Sequence, residues 1–306
     1  MKKLLQIFDT IRPPDFNSLN VAELRKLMDN SPLPRDNIPV DRIEDVTIDL
    51  GDRKLSARFY VPDERARSLI IYYHGGGFVF GNLESHDSIC RLAWLESGSK
   101  VLSVDYRLAP ENKFPAAAED AYSSFLWAID NAESLGISKE YIALAGDSAG
   151  GNLAAVASLM LRDRRKPVPR LQVLFYPALG PDFYSESMRE FAEGYLITRE
   201  QLKWFGNMYL RDEKDSVNPY FSPIMSSDLR GLPEAIVVTG EHDPLRDQAE
   251  TYVSLLRYSD VPVTGIRTLG MIHGFLSTAA LIRPAKDTAI MVWKLVGEKL
   301  LSYSLV

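Results

Sequence analysis

The sequence contains only one cysteine, Cys90, among its 306 residues. A single cysteine excludes a framework of intrachain disulfides and is compatible with a reducing cytoplasm. Nothing in the sequence around Cys90 resembles an activated thiol site, so we interpret it as a small buried residue rather than a nucleophile.

Long apolar runs are absent as well. No stretch approaches the roughly twenty consecutive apolar residues that a membrane-spanning helix needs. The apolar part of Met1–Asp9 is too short for the core of a signal peptide, and no small-residue cleavage site follows it. We therefore expect a soluble, cytoplasmic chain without stable membrane insertion.

The sequence shows no basic patch, and its formal net charge is −6. The densest basic run, Arg162–Lys166, falls at the end of a predicted helix, where it complements the helix dipole. We expect no nucleic-acid partner. No dinucleotide-binding or Walker pattern occurs, and His86-Asp87 lacks partners for a metal site, so no cofactor or metal is expected.

Apolar strands and amphipathic helices alternate along most of the chain. A hairpin signal at Gly51-Asp52 joins the first two strands, and the later strands are apolar on both faces. This alternation predicts the α/β class, with a mostly parallel sheet flanked by helices. Strands are predicted at Val46–Leu50, Lys54–Val61, Ser68–Tyr73, Lys100–Tyr106, Tyr141–Gly146, Leu171–Tyr176, Ala235–Thr239 and Val263–Leu269. Helices are predicted at 84–97, Ala116–Ala132, Asn152–Met160, Leu245–Tyr258 and Ala285–Leu300.

Two regions depart from this alternation. Residues 1–40 have an interrupted helical pattern, with helices predicted at Lys2–Thr10 and Val21–Asp29, and must pack on another part of the chain. Residues 178–230 scatter aromatic side chains among charges and prolines, which indicates helices and loops outside the sheet.

A Gly-x-Ser-x-Gly pattern occupies Gly146–Gly150, between a predicted strand and a predicted helix. This context is typical of a sharp strand-to-helix turn with Ser148 at its apex in a strained conformation. Side chains at Gly146 and Gly150 would collide with the neighbouring strand and helix. The turn places the N–H of Ala149 at a helix N-terminus, where negative charge is favoured. Ser148 is the candidate nucleophile.

A serine nucleophile needs a base, and the chain has four histidines. With such a turn, the order along the chain is serine, then acid, then histidine. His273 fits because it follows the last strand, between two glycines, and leaves room for an acid before it. His242 adjoins the predicted acid loop and is interpreted as structural.

Three carboxylates follow the strand that ends at Thr239: Glu241, Asp243 and Asp247. Asp247 lies a full turn into the next helix, so it is less suited to face the site. Asp243 precedes a proline and is therefore held extended. We prefer Asp243 over Glu241 as the acid.

Three glycines, Gly75, Gly76 and Gly77, follow a buried strand and His74. Without Cβ atoms, consecutive N–H groups can approach one developing negative charge, together with the N–H of Ala149. This predicts an oxyanion hole. His74 is interpreted as orienting the loop.

With these residues together, the chain resembles the hormone-sensitive-lipase-like (family IV) carboxylesterases of the α/β-hydrolase fold. The resemblance rests on five segments in family order: His74–Phe78, Tyr106–Glu111, Gly146–Asn152, Asp243–Asp247 and His273–Phe275. It implies a catalytic domain over 41–306. It also implies a helical cap, built from residues 1–40 and an insertion at about 178–230, over an apolar acyl pocket.

The resemblance implies a small-molecule ester as substrate, of short-to-medium acyl chain, cleaved by Ser148 with His273 and Asp243. Two alternatives stay open: a hydrolase of amides or peptides, and a non-catalytic ligand-binding protein of this fold. Such binding proteins lack the triad histidine, whereas His273 is present. A homodimer is an expectation that rests on the resemblance alone.

Overall fold

A computed structural model describes residues 20–30, 35–182 and 184–301. The predicted helix Lys2–Thr10 lies outside these described residues. Within them, alternating strands and helices follow the predicted α/β pattern, and most boundaries agree to within a few residues.

One sheet of eight strands forms the centre of the described chain, in the order β1-β2-β4-β3-β5-β6-β7-β8. The strands are β1 Arg42–Asp49, β2 Lys54–Val61, β3 Leu69–Tyr73, β4 Lys100–Asp105, β5 Ile142–Asp147, β6 Leu171–Phe175, β7 Glu234–His242 and β8 Val263–Ile272. β1 and β2 form the predicted antiparallel hairpin, and β2 is also antiparallel to β4. All other neighbouring pairs are parallel, which confirms the mostly parallel sheet.

Helices cover both faces of this sheet. They are α1 Val21–Asp29, α2 Asp87–Ser97, α3 Ala116–Asp130, α4 Ala149–Asp163, α5 Glu186–Glu190, α6 Arg199–Tyr209, α7 Arg246–Tyr258 and α8 Arg283–Leu301. Alternate residues of β3 point to opposite faces: Ile71 packs in a core shared with α3, α4 and α7, and Ile70 in one shared with α2 and α8. Apolar strands without polar alternation are the sequence signature of this two-sided burial.

Helix α4 is the most enclosed of these helices. Every residue from Ala149 through Leu161 is buried, because the helix lies against β3, β5 and β6 and is covered by α3. Small side chains such as Ala154 and Ala155 allow this close packing. The turn that begins α4 is therefore held rigidly at the end of β5.

Helical segments lie over the carboxyl ends of the strands. Asn20 and Glu23 form a capping box at the start of α1, and Arg25 ties α1 to the body of the protein through Val79 O (2.8 Å) and Ala109 O (2.9 Å). Residues 184–230 contain α5, α6 and two 3₁₀ turns, Glu213–Val217 and Pro223–Met225, and no strand within the part that the structure describes. This region is helical and looped, as its composition predicts.

Candidate active site

The turn at Ser148 has the strained geometry that the sequence predicts. Ser148 lies between β5 and α4 with φ 54° and ψ −115°, in a region that L-residues rarely occupy. A Cβ on Gly146 would lie 2.3 Å from the carbonyl carbon of Gly150, and one on Gly150 would lie 1.9 Å from Tyr73 O. Both glycines are therefore required, and the turn aims the Ser148 hydroxyl away from the sheet.

A continuous hydrogen-bond chain joins Ser148, His273 and Asp243. His273 Nε2 lies 2.9 Å from Ser148 Oγ, and His273 Nδ1 lies 2.9 Å from Asp243 Oδ2. Asp243 is fully buried, and its other oxygen accepts the N–H of Leu245 at 2.8 Å. Because the carboxylate can only accept, Nδ1 carries a proton in this pairing, and Nε2 presents its lone pair to the serine hydroxyl.

The rejected candidates lie elsewhere. Glu241 accepts the N–H of Gly270 at 2.7 Å, and Asp247 accepts the N–H of Ser187 at 2.8 Å. His242 stacks on Tyr195, with ring centroids 5.7 Å apart. None of the three joins the hydrogen-bond chain at Ser148.

Gly76 and Gly77 adopt conformations that require glycine. Their φ values are 120° and 60°, and a Cβ would lie 2.1 Å from Phe80 O at Gly76 and 2.3 Å from the Phe205 ring at Gly77. Neither N–H has a hydrogen-bond partner among the described residues, and both glycines line the cavity with Ser148. Ala149 begins α4, where N–H groups lack an intrahelical acceptor. All three residues line the cavity beside Ser148.

The expectation that Gly75 also contributes a donor needs correction. Its N–H donates to Asp147 Oδ1 at 2.9 Å and is thus already paired. A Cβ on Gly75 would lie 2.4 Å from the other Asp147 oxygen. Glycine is needed here for the close approach of a carboxylate.

Asp147 is the centre of a buried polar network directly beside Ser148. Its carboxylate accepts from Tyr72 Oη at 2.8 Å and from Tyr176 Oη at 3.5 Å, and His86 Nε2 lies 3.3 Å away. Burial alone would raise the pKa of the Asp147 carboxyl, but His86 and the Tyr72 hydrogen bond hold that pKa below its ordinary value. The one sequence signal was a tyrosine with a polar tip inside an otherwise apolar strand.

His74 is buried beneath the glycine loop, Gly75–Gly77. Its ring stacks on Tyr106 at a centroid distance of 4.3 Å, and Nδ1 lies 2.8 Å from Gly75 O. Burial, helped by the neighbouring His86, lowers the pKa of His74 to about 3. The neutral ring supports the loop from below, in line with its predicted orienting role.

Cys90 is fully buried in α2, as expected. Burial raises the pKa of its thiol to about 12, so the thiolate does not form near neutral pH. Among the described residues, no group of three or more His, Cys, Asp or Glu side chains is arranged to hold a metal ion. Nor does any helix there have the length and apolarity to cross a membrane.

A cavity of about 1010 Å³ opens above Ser148 and His273. The glycine loop and the segment after β6 form its floor, and α1 and α6 contribute its roof. The apolar side chains that line it include Leu27, Met28, Phe80, Met188, Leu196, Ile197, Leu202, Phe205, Leu210, Phe221 and Leu245. A cavity of this size and lining suits a small, largely apolar molecule.

Comparison with known proteins agrees with this fold. The family model described as the α/β hydrolase fold matches residues 70–277. An arylesterase of Saccharolobus solfataricus is 39% identical over 303 residues, which cover 97% of each chain. An ethyl acetate hydrolase of Pseudomonas putida is 34% identical over 85% of this chain and 84% of its own. A hyperthermophilic esterase from the archaeon Pyrobaculum calidifontis has a TM-score of 0.92 at 39% identity, covering 97% of this chain and 98% of that chain.

The chain therefore belongs to the α/β-hydrolase family. Within that family it falls in the hormone-sensitive-lipase-like branch, as the sequence motifs predict.

Proposed function

We propose that this protein is a serine carboxylesterase that hydrolyses small carboxylic esters through an acyl-enzyme intermediate. The observation that carries the proposal is the hydrogen-bond chain from Ser148 through His273 to Asp243 at the floor of an apolar cavity. The arylesterase and ethyl acetate hydrolase relatives support an ester as the substrate class.

In the first step, Ser148 Oγ attacks the ester carbonyl carbon while His273 Nε2 takes the hydroxyl proton. Asp243 stabilises the resulting imidazolium through the bond to Nδ1. The negative charge on the former carbonyl oxygen is stabilised by the N–H groups of Gly76, Gly77 and Ala149. These donors are fixed in place before the substrate arrives, so they need no reorganisation as charge develops.

The tetrahedral intermediate then collapses, and the C–O bond to the alcohol breaks. His273 returns its proton to the departing alkoxide, leaving an acyl group on Ser148 Oγ. In the second half, His273 takes a proton from water, whose oxygen attacks the acyl carbon. The second intermediate then collapses: the bond between the acyl carbon and Ser148 Oγ breaks, Oγ takes the proton from His273, and the carboxylic acid leaves. No cofactor or metal is needed.

The apolar lining supports esters of short-to-medium acyl chain length as substrates. The cavity roof from α1 and α6 supports a cap made of residues 1–40 and an insertion at about 178–230, over a catalytic domain of 41–306. A cytoplasmic location rests on the single, buried cysteine. A homodimer rests on family resemblance alone.

Covalent labelling with a fluorophosphonate probe, compared between wild type and Ser148→Ala, tests the proposal. We expect the wild type to be labelled and the variant to be unlabelled. We also expect p-nitrophenyl butyrate hydrolysis to fall by a factor on the order of 10⁶. Ser277 is a second serine in the cavity lining, so Ser277→Ala is the matched control. This variant should still be labelled by the probe and should still hydrolyse p-nitrophenyl butyrate.

An unlabelled wild-type protein would overturn the assignment and favour a ligand-binding protein. Activity across p-nitrophenyl esters from C2 to C16 defines the acyl range, and a rate that rises steadily to C16 contradicts the short-to-medium preference. A matched ester and anilide pair decides between an esterase and an amidase.

A further inference from the structure

Gln248, in the first turn of α7, is a polar side chain in the wall of the cavity. It is only 3% exposed, and its neighbours in this part of the wall include the buried apolar side chains of Leu245 and Met188. A buried amide in apolar surroundings needs hydrogen-bond partners for both of its ends.

The oxygen end of this amide has partners in the main chain. Gln248 Oε1 accepts the N–H of Leu179 at 2.6 Å and the N–H of Gly180 at 3.0 Å. Two N–H donors converge on one atom, so that atom must be the oxygen, and the NH₂ group must be on the other side. The orientation of the amide is thereby fixed by the backbone.

The segment that holds Gln248 also adjoins the serine. Ala178 follows β6, and its N–H lies 3.3 Å from Ser148 O. Ala178 and Gly180 both line the cavity. Gln248 and the segment that holds it therefore line the same cavity as Ser148.

The amide nitrogen has no hydrogen-bond acceptor among the described residues. Asp182 Oδ1 accepts the N–H groups of Tyr184 and Ser185, and Ser187 Oγ donates to Pro244 O, so neither of these two atoms pairs with Gln248. The cavity wall thus presents a fixed donor that the folded chain leaves unpaired.

We propose that Gln248 Nε2 donates a hydrogen bond to an oxygen atom of the substrate, and that it makes the enzyme select oxygen-bearing esters. The favoured substrates carry an ether, hydroxyl or carbonyl oxygen in the chain that lies against Ala178–Gly180. A hydrocarbon chain of equal length leaves the buried donor unpaired and is processed less well. This inference rests on the ester hydrolysis proposed above.

Matched substrate pairs in which one CH₂ is replaced by oxygen test this inference. For the acyl side, the pair is p-nitrophenyl methoxyacetate and p-nitrophenyl butyrate. For the alcohol side, the pair is 2-methoxyethyl butyrate and butyl butyrate. The ether oxygen also changes intrinsic reactivity, so the quantity compared is the oxygen-to-hydrocarbon ratio of kcat/KM in wild type against the same ratio in a variant.

Gln248→Glu is the diagnostic variant, assayed at pH 8. It keeps an oxygen for the N–H groups of Leu179 and Gly180 but replaces the NH₂ with an oxygen that repels an ether. We expect the oxygen-to-hydrocarbon ratio to fall by about threefold to tenfold for one of the two pairs. The pair affected also identifies whether the acyl side or the alcohol side of the substrate contacts Gln248. Gln248→Met removes the donor without adding charge and should lower the same ratio. If circular dichroism shows that Gln248→Glu is unfolded, Gln248→Met takes its place as the test.

Gln201→Glu is the matched control, because Gln201 also lines the cavity and caps α6 through its own side-chain oxygen. An unchanged ratio in both Gln248 variants, or an equal fall in Gln201→Glu, overturns the role of Gln248. Wild-type hydrolysis of the two hydrocarbon esters tests the proposed function separately, since it does not depend on Gln248 selectivity.

Discussion

The Asp147 carboxylate accepts the backbone N–H of Gly75 at 2.9 Å. Asp147 precedes Ser148 directly, and Gly75 precedes two glycines whose N–H groups have no partner among the described residues. One buried carboxylate therefore fixes the glycine loop relative to the serine. The Tyr72 hydroxyl and His86 hold that carboxylate in turn.

Asp147→Asn should lower kcat for p-nitrophenyl butyrate by about tenfold to a hundredfold, with a smaller change in KM. An amide keeps one acceptor oxygen but places an NH₂ group where a carboxylate oxygen receives Tyr176 Oη, so the loop shifts relative to Ser148. Steady-state kinetics on both proteins measure the effect. Asp41→Asn, on an exposed aspartate, is the control, and equal kcat values in both variants would contradict the anchoring role.

Asp243→Asn should reduce kcat by a factor on the order of 10⁴, because an amide at this position favours the wrong tautomer of His273 and cannot stabilise the imidazolium. Asp247→Asn is the matched control four residues further along. Its carboxylate faces Ser187 and Arg246 rather than His273. Rate measurements at saturating ester decide, and comparable losses in the two variants would exclude Asp243 as the specific partner of the base.

Gly77→Ala should reduce kcat/KM by more than tenfold, because the new Cβ would lie 2.3 Å from the Phe205 ring and displace the proposed oxyanion donor. Gly270→Ala is the control: its φ of 72° carries a similar backbone strain, but no atom lies within 4 Å of the new Cβ. Adding Phe205→Ala to Gly77→Ala should recover part of the activity. No recovery would mean that the backbone conformation, rather than the ring contact, is limiting.

His74 should make the protein less stable as the pH falls. Its pKa is about 3 in the folded protein and about 6.5 when unfolded, so between these values the unfolded chain binds the extra proton. Stability from this group is therefore full above about pH 6.5 and falls by up to about 1.4 kcal/mol per pH unit toward pH 3. The titratable groups around the ring are His86, Asp147, Asp105 and Tyr106.

Urea unfolding of His74→Gln at pH 7, 6, 5 and 4 measures this contribution. The variant should be less stable at pH 7 but show a shallower decline with acid than wild type. Tyr106→Phe disturbs the same stacked pair without removing an imidazole, and it should keep the wild-type slope. Parallel slopes for wild type and His74→Gln would refute the prediction.

The local parts of the site could be predicted from sequence because each leaves a local signature. Gly-x-Ser-x-Gly between an apolar strand and a helix predicts the turn at Ser148, and parallel strands bring Asp243 and His273 to the same edge of the sheet. The structure places these three side chains in hydrogen-bond contact. Their catalytic roles stay a prediction until the variants are measured.

The errors lie where distant segments meet. Gly75 is predicted from the sequence to donate its N–H to the oxyanion, but that N–H is paired with a carboxylate 72 residues away, which a local sequence pattern does not reveal. Strand β8 was expected to end near Leu269, yet it continues to Ile272 because it pairs again with β7 at His242 after an irregularity. The orientation of the Gln248 amide likewise cannot be predicted from the sequence, because it depends on hydrogen bonds from the loop after β6, which packs against α7.

The burial of helix α4 determines which parts of the described chain can unfold locally. Its residues from Ala149 to Leu161 are all enclosed, whereas α1 buries only Leu24 and α6 only Phe205 and Tyr209 among their described side chains. Amide hydrogens of α4 should exchange with solvent only through global unfolding, and those of α1 and α6 through much cheaper local openings. Opening of α1 and α6 to admit a substrate and unfolding of α4 therefore have separate free energies. The helices over the cavity can open in each catalytic cycle while Ser148 stays in position.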